Sequence, residues 1–124
     1  MRFDDLYSGR VIGLAIDVHR ALGPGLFETV YEACLCQELN DAGIPFQRQI
    51  EIPVVYKGLP IEKAYRLDVS VGDDLLVEIK SVERLVRLHE AQILTYMRFS
   101  GRRVGLLLNF NTVLLREGMR RYVL

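Results

Sequence analysis

Asp68, Glu78 and Lys80 are the residues whose types and spacing point to chemistry. They lie in two segments with a period of two, the signal of strands covered on one face. In the first segment Tyr65, Leu67, Val69 and Val71 alternate with Arg66, Asp68 and Ser70. In the second, Leu75, Val77 and Ile79 alternate with Leu76, Glu78 and Lys80. If the two odd-numbered apolar sets share a core, the register parity is fixed, because a one-residue slip flips a strand. A loop made of Gly72, Asp73 and Asp74 pairs Val71 with Leu75 and, counting back, sets Asp68 opposite Glu78. Facing carboxylates repel. A divalent cation between them reverses the sign, and hard oxygen donors suit Mg²⁺ or Mn²⁺. Lys80 points the same way as Glu78, where an ammonium can orient a water or neutralise charge on an attacked phosphate. An ordinary exposed sheet face carries the same residue types, so this pattern alone leaves both readings open.

The rest of the chain must hold these strands. Ser8 is the expected N-cap of a helix reaching about Leu22, with Val11, Ala15, Val18 and Leu22 at helical spacing. Gly23-Pro24-Gly25 breaks it. A second helix is predicted from about Phe27 to Ala42, burying Phe27, Val30, Tyr31, Cys34, Leu35 and Leu39 and stopping at Gly43. Strands follow over Gln47 to Tyr56, with Pro53 marking an edge or a bulge, over Ile61 to Val71 after a Lys57-Gly58 turn, and over Leu75 to Ser81. A helix from about Leu85 to Ser100 ends at Gly101. Val104 to Phe110 reads as a strand covered on both faces, and Thr112 to Leu124 as an edge strand or short hairpin. The order α-α-β-β-β-α-β gives an α/β fold with a mixed sheet flanked by helices.

Composition sets the outer limits. The chain has 124 residues, half of them hydrophobic, with 16 basic and 16 acidic side chains. That supports a single domain with a real core, not a disordered chain. No apolar run approaches the roughly 20 residues of a membrane span, and Met1 to Arg10 shows no secretory pattern, so a cytoplasmic, soluble protein is expected. Cys34 and Cys36 lie on nearly opposite faces of the second helix, which excludes a disulfide or joint chelation there. Zero net charge argues against indiscriminate coating of nucleic acid. The charge is nevertheless uneven. Residues 1–62 carry 5 basic and 9 acidic side chains, and residues 63–124 carry 11 and 7. From Arg84 onward every basic residue is arginine, the side chain suited to bidentate phosphate contact.

Asp68 followed by Glu78-Ile79-Lys80 resembles the D-x(n)-E-x-K signature of the PD-(D/E)xK nuclease superfamily, with Leu67 where a proline or small residue is usual. Gly25-Leu26-Phe27-Glu28-Thr29-Val30-Tyr31 is similar to the GxxExxY motif of a small family within it. Gln92-Ile93-Leu94-Thr95-Tyr96 resembles the QxxxY helix of RecB-type nucleases. The likeness spans nearly the whole chain. It implies a restriction-endonuclease-like α-β-β-β-α-β core over residues 1–124 and a metal-dependent nuclease acting on DNA or RNA. It further implies that Asp68 and Glu78 bind Mg²⁺ or Mn²⁺, with the Ile79 carbonyl as third ligand and Glu28 contacting the metal directly or through water. Lys80 would be the catalytic lysine. Gln92 and Tyr96, on one helical face, would position the lysine or a substrate phosphate. The arginines of the last third, Arg84 and Arg87 among them, would hold the flanking backbone.

Other residues have simpler roles available. Tyr31 is equally suited to core packing and to a site hydrogen bond, and His19 fits a satisfied half-buried histidine. At His89 a helix-end role competes with substrate contact. Two further functions compete with the nuclease: a non-catalytic nucleic-acid-binding or assembly module on the same fold, and a small-molecule phosphohydrolase. With so little chain beyond the core, substrate choice is expected to depend on a homodimer or another protein partner.

Overall fold

The computed structural model describes residues 5–124; residues 1–4, part of the stretch read for a secretory signal, lie outside the described residues. Helix α1 (Ser8–Leu22) and helix α2 (Glu28–Asp41) precede a hairpin of β1 (Phe46–Tyr56) and β2 (Leu59–Val71). Strand β3 (Leu75–Lys80), helix α3 (Arg87–Ser100), strand β4 (Val104–Asn109), a 3-10 turn (Leu115–Gly118) and strand β5 (Met119–Val123) complete the chain. The five strands form one sheet in the order β1-β2-β3-β4-β5. Only β3 and β4 are parallel, and α3 supplies the crossover that such a pair requires. The expected mixed α/β sheet is present, and its last segment is an edge strand antiparallel to β4.

Turn chemistry sets the registers. Lys57 and Gly58 both take positive φ (49° and 80°), the two-residue hairpin geometry whose twist matches the strands it joins. At Pro53, which has no amide to give a ladder, the β1–β2 register shifts between Ile52 and Val54. Gly72 to Asp74 joins β2 to β3 with Val71 opposite Leu75, as the parity argument requires.

Each face of the sheet has its own core. Under α1 and α2, Val11, Ala15, Tyr31, Leu35 and Leu39 pack on Val69, Val71, Val77, Ile79, Leu106 and Phe110. Under α3, Ile93 and Met97 pack on Leu67, Leu76 and Leu107. Gly105 lets α3 come down on β4, since a Cβ there would lie 2.6 Å from Met97 Sδ. Strand β4 is buried along its whole length, which accounts for its unbroken apolar sequence.

Four local expectations change. Ser8 is the first residue of α1 and does not cap it; the Asp5 carboxylate accepts the Tyr7 and Ser8 amides instead (3.1 and 2.7 Å). Leu22 is exposed because it falls at the end of α1, beyond the sheet-facing stripe. Phe27 and Val30 are exposed too, Phe27 as the N-cap residue before α2 and Val30 in its first turn. Finally, Tyr65, Leu67, Val69 and Val71 do not share a face. Tyr65 and Leu67 pack under α3, and Val69 and Val71 under α1 and α2. The switch occurs at Asp68, where the β2–β3 register ends at Val69 and Val77 and where Gln49 of the neighbouring strand takes φ 52°.

Candidate active site

The chain is irregular at Asp68 because side chains replace part of the β2–β3 ladder. The Asp68 amide donates to Glu78 Oε1 (3.2 Å), and the Ile79 amide donates to Asp68 Oδ2 (2.8 Å). Each carboxylate thus accepts a backbone N–H from the other's strand, and the two acids stand face to face. In an extended strand a residue's N–H and C=O point to the same side. The Ile79 carbonyl therefore opens toward β2, beside Asp68.

Burial makes this pair electrostatically costly. Glu78 is only 4 % exposed. Desolvation first, then the neighbouring Asp68 charge, pushes its carboxyl up to about 8. Asp68 is also raised, mainly by desolvation, with the charges of Glu32 and Glu28 adding to it. Lys80 opposes the shift at both acids, which places its ammonium within electrostatic reach of the pair. From α3, Tyr96 is raised by burial and then by Glu78 and Asp68, so its phenol belongs to the same neighbourhood. Its ring stacks on Tyr65 at 4.6 Å between centroids, and its carbonyl accepts the Tyr65 hydroxyl. Gln92 lies one turn earlier on that helix and is half-buried.

Glu28 begins α2 at the rim. Its carboxylate accepts the Ser81 amide (3.4 Å), one residue past Lys80. Among the described residues no three His, Cys, Asp or Glu side chains converge on one ion position, so the acids form a pair with Glu28 beside it. The donor set still fits a hard divalent cation. A buried and a half-buried oxygen-donor acid repel each other, and a cation relieves that repulsion. Arg84 and Arg87 are exposed on the segment leading into α3.

Two residues that the sequence reading missed complete the surroundings. Glu32, one helical turn after Glu28, is buried at 6 % exposure and held by Arg48 (2.9 Å) and Gln49 of β1. Asn109, opposite Lys80 in the β3–β4 register, is 1 % exposed. Its amide side chain accepts the Val82 N–H and donates to the Val82 carbonyl (both 3.0 Å). That clamp fixes the chain as it leaves Lys80. The i, i+4 spacing of Glu28 and Glu32 could have flagged the first; nothing local marks the second.

The remaining candidates resolve into structural roles. Tyr31 is fully buried, stacked on Phe110 at 4.5 Å, and its hydroxyl donates to the Gly23 carbonyl (2.6 Å). His19 Nε2 meets the Thr112 carbonyl at 2.8 Å. His89 Nδ1 accepts the Val86 amide and so closes the start of α3. Burial raises the Cys36 thiol to about 11, the opposite of a reactive cysteine. A cleft of about 550 Å³ lies at the opposite end of β3, around the Gly72–Asp74 turn and away from the acid pair.

A mixed sheet carrying a facing acid pair and a lysine at the end of one strand, with helices on both faces, is a restriction-endonuclease-like fold. The chain belongs to the PD-(D/E)XK nuclease superfamily, whose family model matches residues 5–122. No curated protein and no solved structure gave a significant match. No helix among the described residues is long and apolar enough to cross a membrane.

Proposed function

We propose that this chain is a divalent-metal-dependent nuclease of the GxxExxY type that hydrolyses phosphodiester bonds in DNA or RNA. The observation that carries the reading is the pairing of buried Glu78 with half-buried Asp68, with Lys80 beside them. Sheet-surface acids of no function would be solvated and turned apart. These are desolvated and crossed, an arrangement that costs stability unless a cation or a proton sits with them.

Asp68 and Glu78, with the Ile79 carbonyl, would hold Mg²⁺ or Mn²⁺. Such an ion, when bound, supplies Lewis-acid stabilisation and a more acidic water. Lys80 holds the attacking water against the phosphorus or offsets charge on the non-bridging oxygens. As the water oxygen bonds to phosphorus it gives up a proton to solvent, the bond to the leaving sugar oxygen breaks, and that oxygen takes a proton from solvent. Glu28 anchors Ser81 and orders water at the rim. Gln92 and Tyr96 face the phosphate from α3, and Arg84 and Arg87 bind the flanking backbone.

The test is cleavage of single- and double-stranded DNA and RNA by the purified chain with Mg²⁺ or Mn²⁺. Activity should vanish with EDTA and in Lys80→Ala, and should fall at least about a hundredfold in Asp68→Asn, which keeps an acceptor for the Ile79 amide. Salt-dependent binding without turnover would instead identify a binding module on a nuclease fold. Equal cleavage by Lys80→Ala would remove that residue from the chemistry.

A further inference from the structure

Phe27 is 83 % exposed, the most exposed aromatic ring among the described residues. Its backbone is nevertheless pinned. The Leu26 amide donates to the Tyr31 hydroxyl (3.1 Å), and the Ser81 hydroxyl donates to the Leu26 carbonyl (2.6 Å). The next residue, Glu28, receives the Ser81 amide. Ser81 directly follows Lys80, so the loop carrying the ring is tied to the end of the strand that carries Glu78 and Lys80. Leu26, Phe27, Glu28, Thr29 and Ser81 line one open cleft.

Neither local structure nor packing accounts for a phenylalanine here. Phe27 occupies the N-cap of α2 with extended backbone (φ −72°, ψ 153°) and no side-chain cap. Serine, threonine, aspartate or asparagine would satisfy a helix amide at that position. The ring also gains nothing from burial, because it stands in water. A residue that breaks the local rule without a structural return is the pattern expected of a binding group.

We propose that Phe27 stacks on an unpaired base of the strand whose phosphate lies at Asp68, Glu78 and Lys80. This rests on the nuclease reading above and narrows its substrate class to single-stranded or locally unpaired nucleic acid. In a duplex interior the base faces are already stacked on one another. An unpaired base offers its face to a fixed ring, whatever its sequence, because every base has one. The exposed guanidinium groups of Arg84 and Arg87 suit the accompanying backbone better than they suit an apolar partner surface.

The chain has no tryptophan, so Phe27→Trp places a single indole at the rim. Its fluorescence, followed with EDTA present, should be quenched by oligo(dT) or oligo(U), and far less by the corresponding duplexes; the two arms separate DNA from RNA. With metal, Phe27→Ala should raise KM on the preferred single strand about 10- to 100-fold with a smaller change in kcat, and Phe27→Tyr should recover it. An unquenched indole at saturating oligonucleotide overturns the proposal, as does an unchanged KM in Phe27→Ala of a wild-type enzyme that cuts. A change of oligomeric state in Phe27→Ala at unchanged KM would assign the ring to contact between copies and overturn it as well. If the wild type cuts nothing but the indole is still quenched by single strands, the nuclease reading fails and the stacking surface stands.

Discussion

Glu78 should make the metal-free protein less stable as pH rises through neutrality. The sign follows from linkage. Its carboxyl titrates near 4.5 when unfolded and at about 8 in the native state. Between those limits the native state holds a proton that the unfolded chain has lost, so raising the pH favours unfolding. While the difference is one whole proton, the folding constant falls about tenfold per pH unit, on the order of 4 kcal/mol between pH 5 and pH 8. Asp68, raised in the same direction, contributes with the same sign. Urea unfolding followed by circular dichroism at several pH values, with EDTA, measures the slope. Glu78→Gln keeps a carbonyl oxygen for the Asp68 amide but cannot ionise. It should flatten the profile and be the more stable protein at pH 8. Mg²⁺ or Mn²⁺ should restore wild-type stability more at pH 8 than at pH 6, where a proton competes, and do less for the glutamine variant. A wild-type stability that rises from pH 5 to pH 8, or a glutamine variant weaker than wild type at pH 8, would refute the electrostatic account of the pair.

Three further outcomes test the scaffold. Asn109→Ala strands the Val82 amide and leaves the Val82 carbonyl only its Asn111 donor (3.3 Å), and should cost about 1–3 kcal/mol in urea unfolding; it should also lower kcat, because the chain leaving Lys80 loses most of its clamp. Gly105→Ala pushes a methyl against Met97 and Ile93 and should destabilise by about 1–3 kcal/mol, whereas Gly101→Ser, with open space around it, should suffer only from its φ of 74°. Asp5→Ala removes the acceptor of the Tyr7 and Ser8 amides and a partner of Arg121, at a cost of about 1–2 kcal/mol. Burial alone would raise the Asp5 carboxyl, but the Ser8 and Arg121 hydrogen bonds hold it below its usual value. Its contribution is therefore complete above pH 4 and lost as the pH falls through the native value, separate from the Glu78 window.

Most of the positioning was legible because it depends on short-range rules. The Gly72–Asp74 loop fixed the register from Val71–Leu75 to Val69–Val77 and so brought Asp68 close to Glu78, where crossed side-chain hydrogen bonds complete the pairing, and the apolar run at Val104 announced a central strand. What escaped depends on partners distant in sequence. Glu32 reads as a surface acid on α2 until Arg48 and Gln49 arrive from β1 to bury it. Asn109 is one polar residue ending an apolar strand, and its clamp exists only because β4 lies beside β3. Phe27 and Val30 fit a helical stripe by spacing, but spacing does not say which residues of that stripe find a partner to cover them. The face switch at Leu67 was hidden for a related reason. Alternation assumes an unbroken ladder, and the ladder stops where the carboxylates take over its hydrogen bonds.

That substitution of side chain for backbone ties folding and chemistry together at Asp68 and Glu78. Cutting either side chain back to alanine would strand an amide inside the sheet, Ile79's in one case and Asp68's in the other, so an alanine variant there would be a damaged protein, whereas the amide replacements keep an acceptor oxygen in place. Lys80 donates no hydrogen bond to the framework among the described contacts, and its strand is held through the backbone by Phe110. On the nuclease reading, an intact, inactive copy for trapping substrates or partners is therefore to be sought in a lysine change or an acid-to-amide change, not in alanine at Asp68 or Glu78.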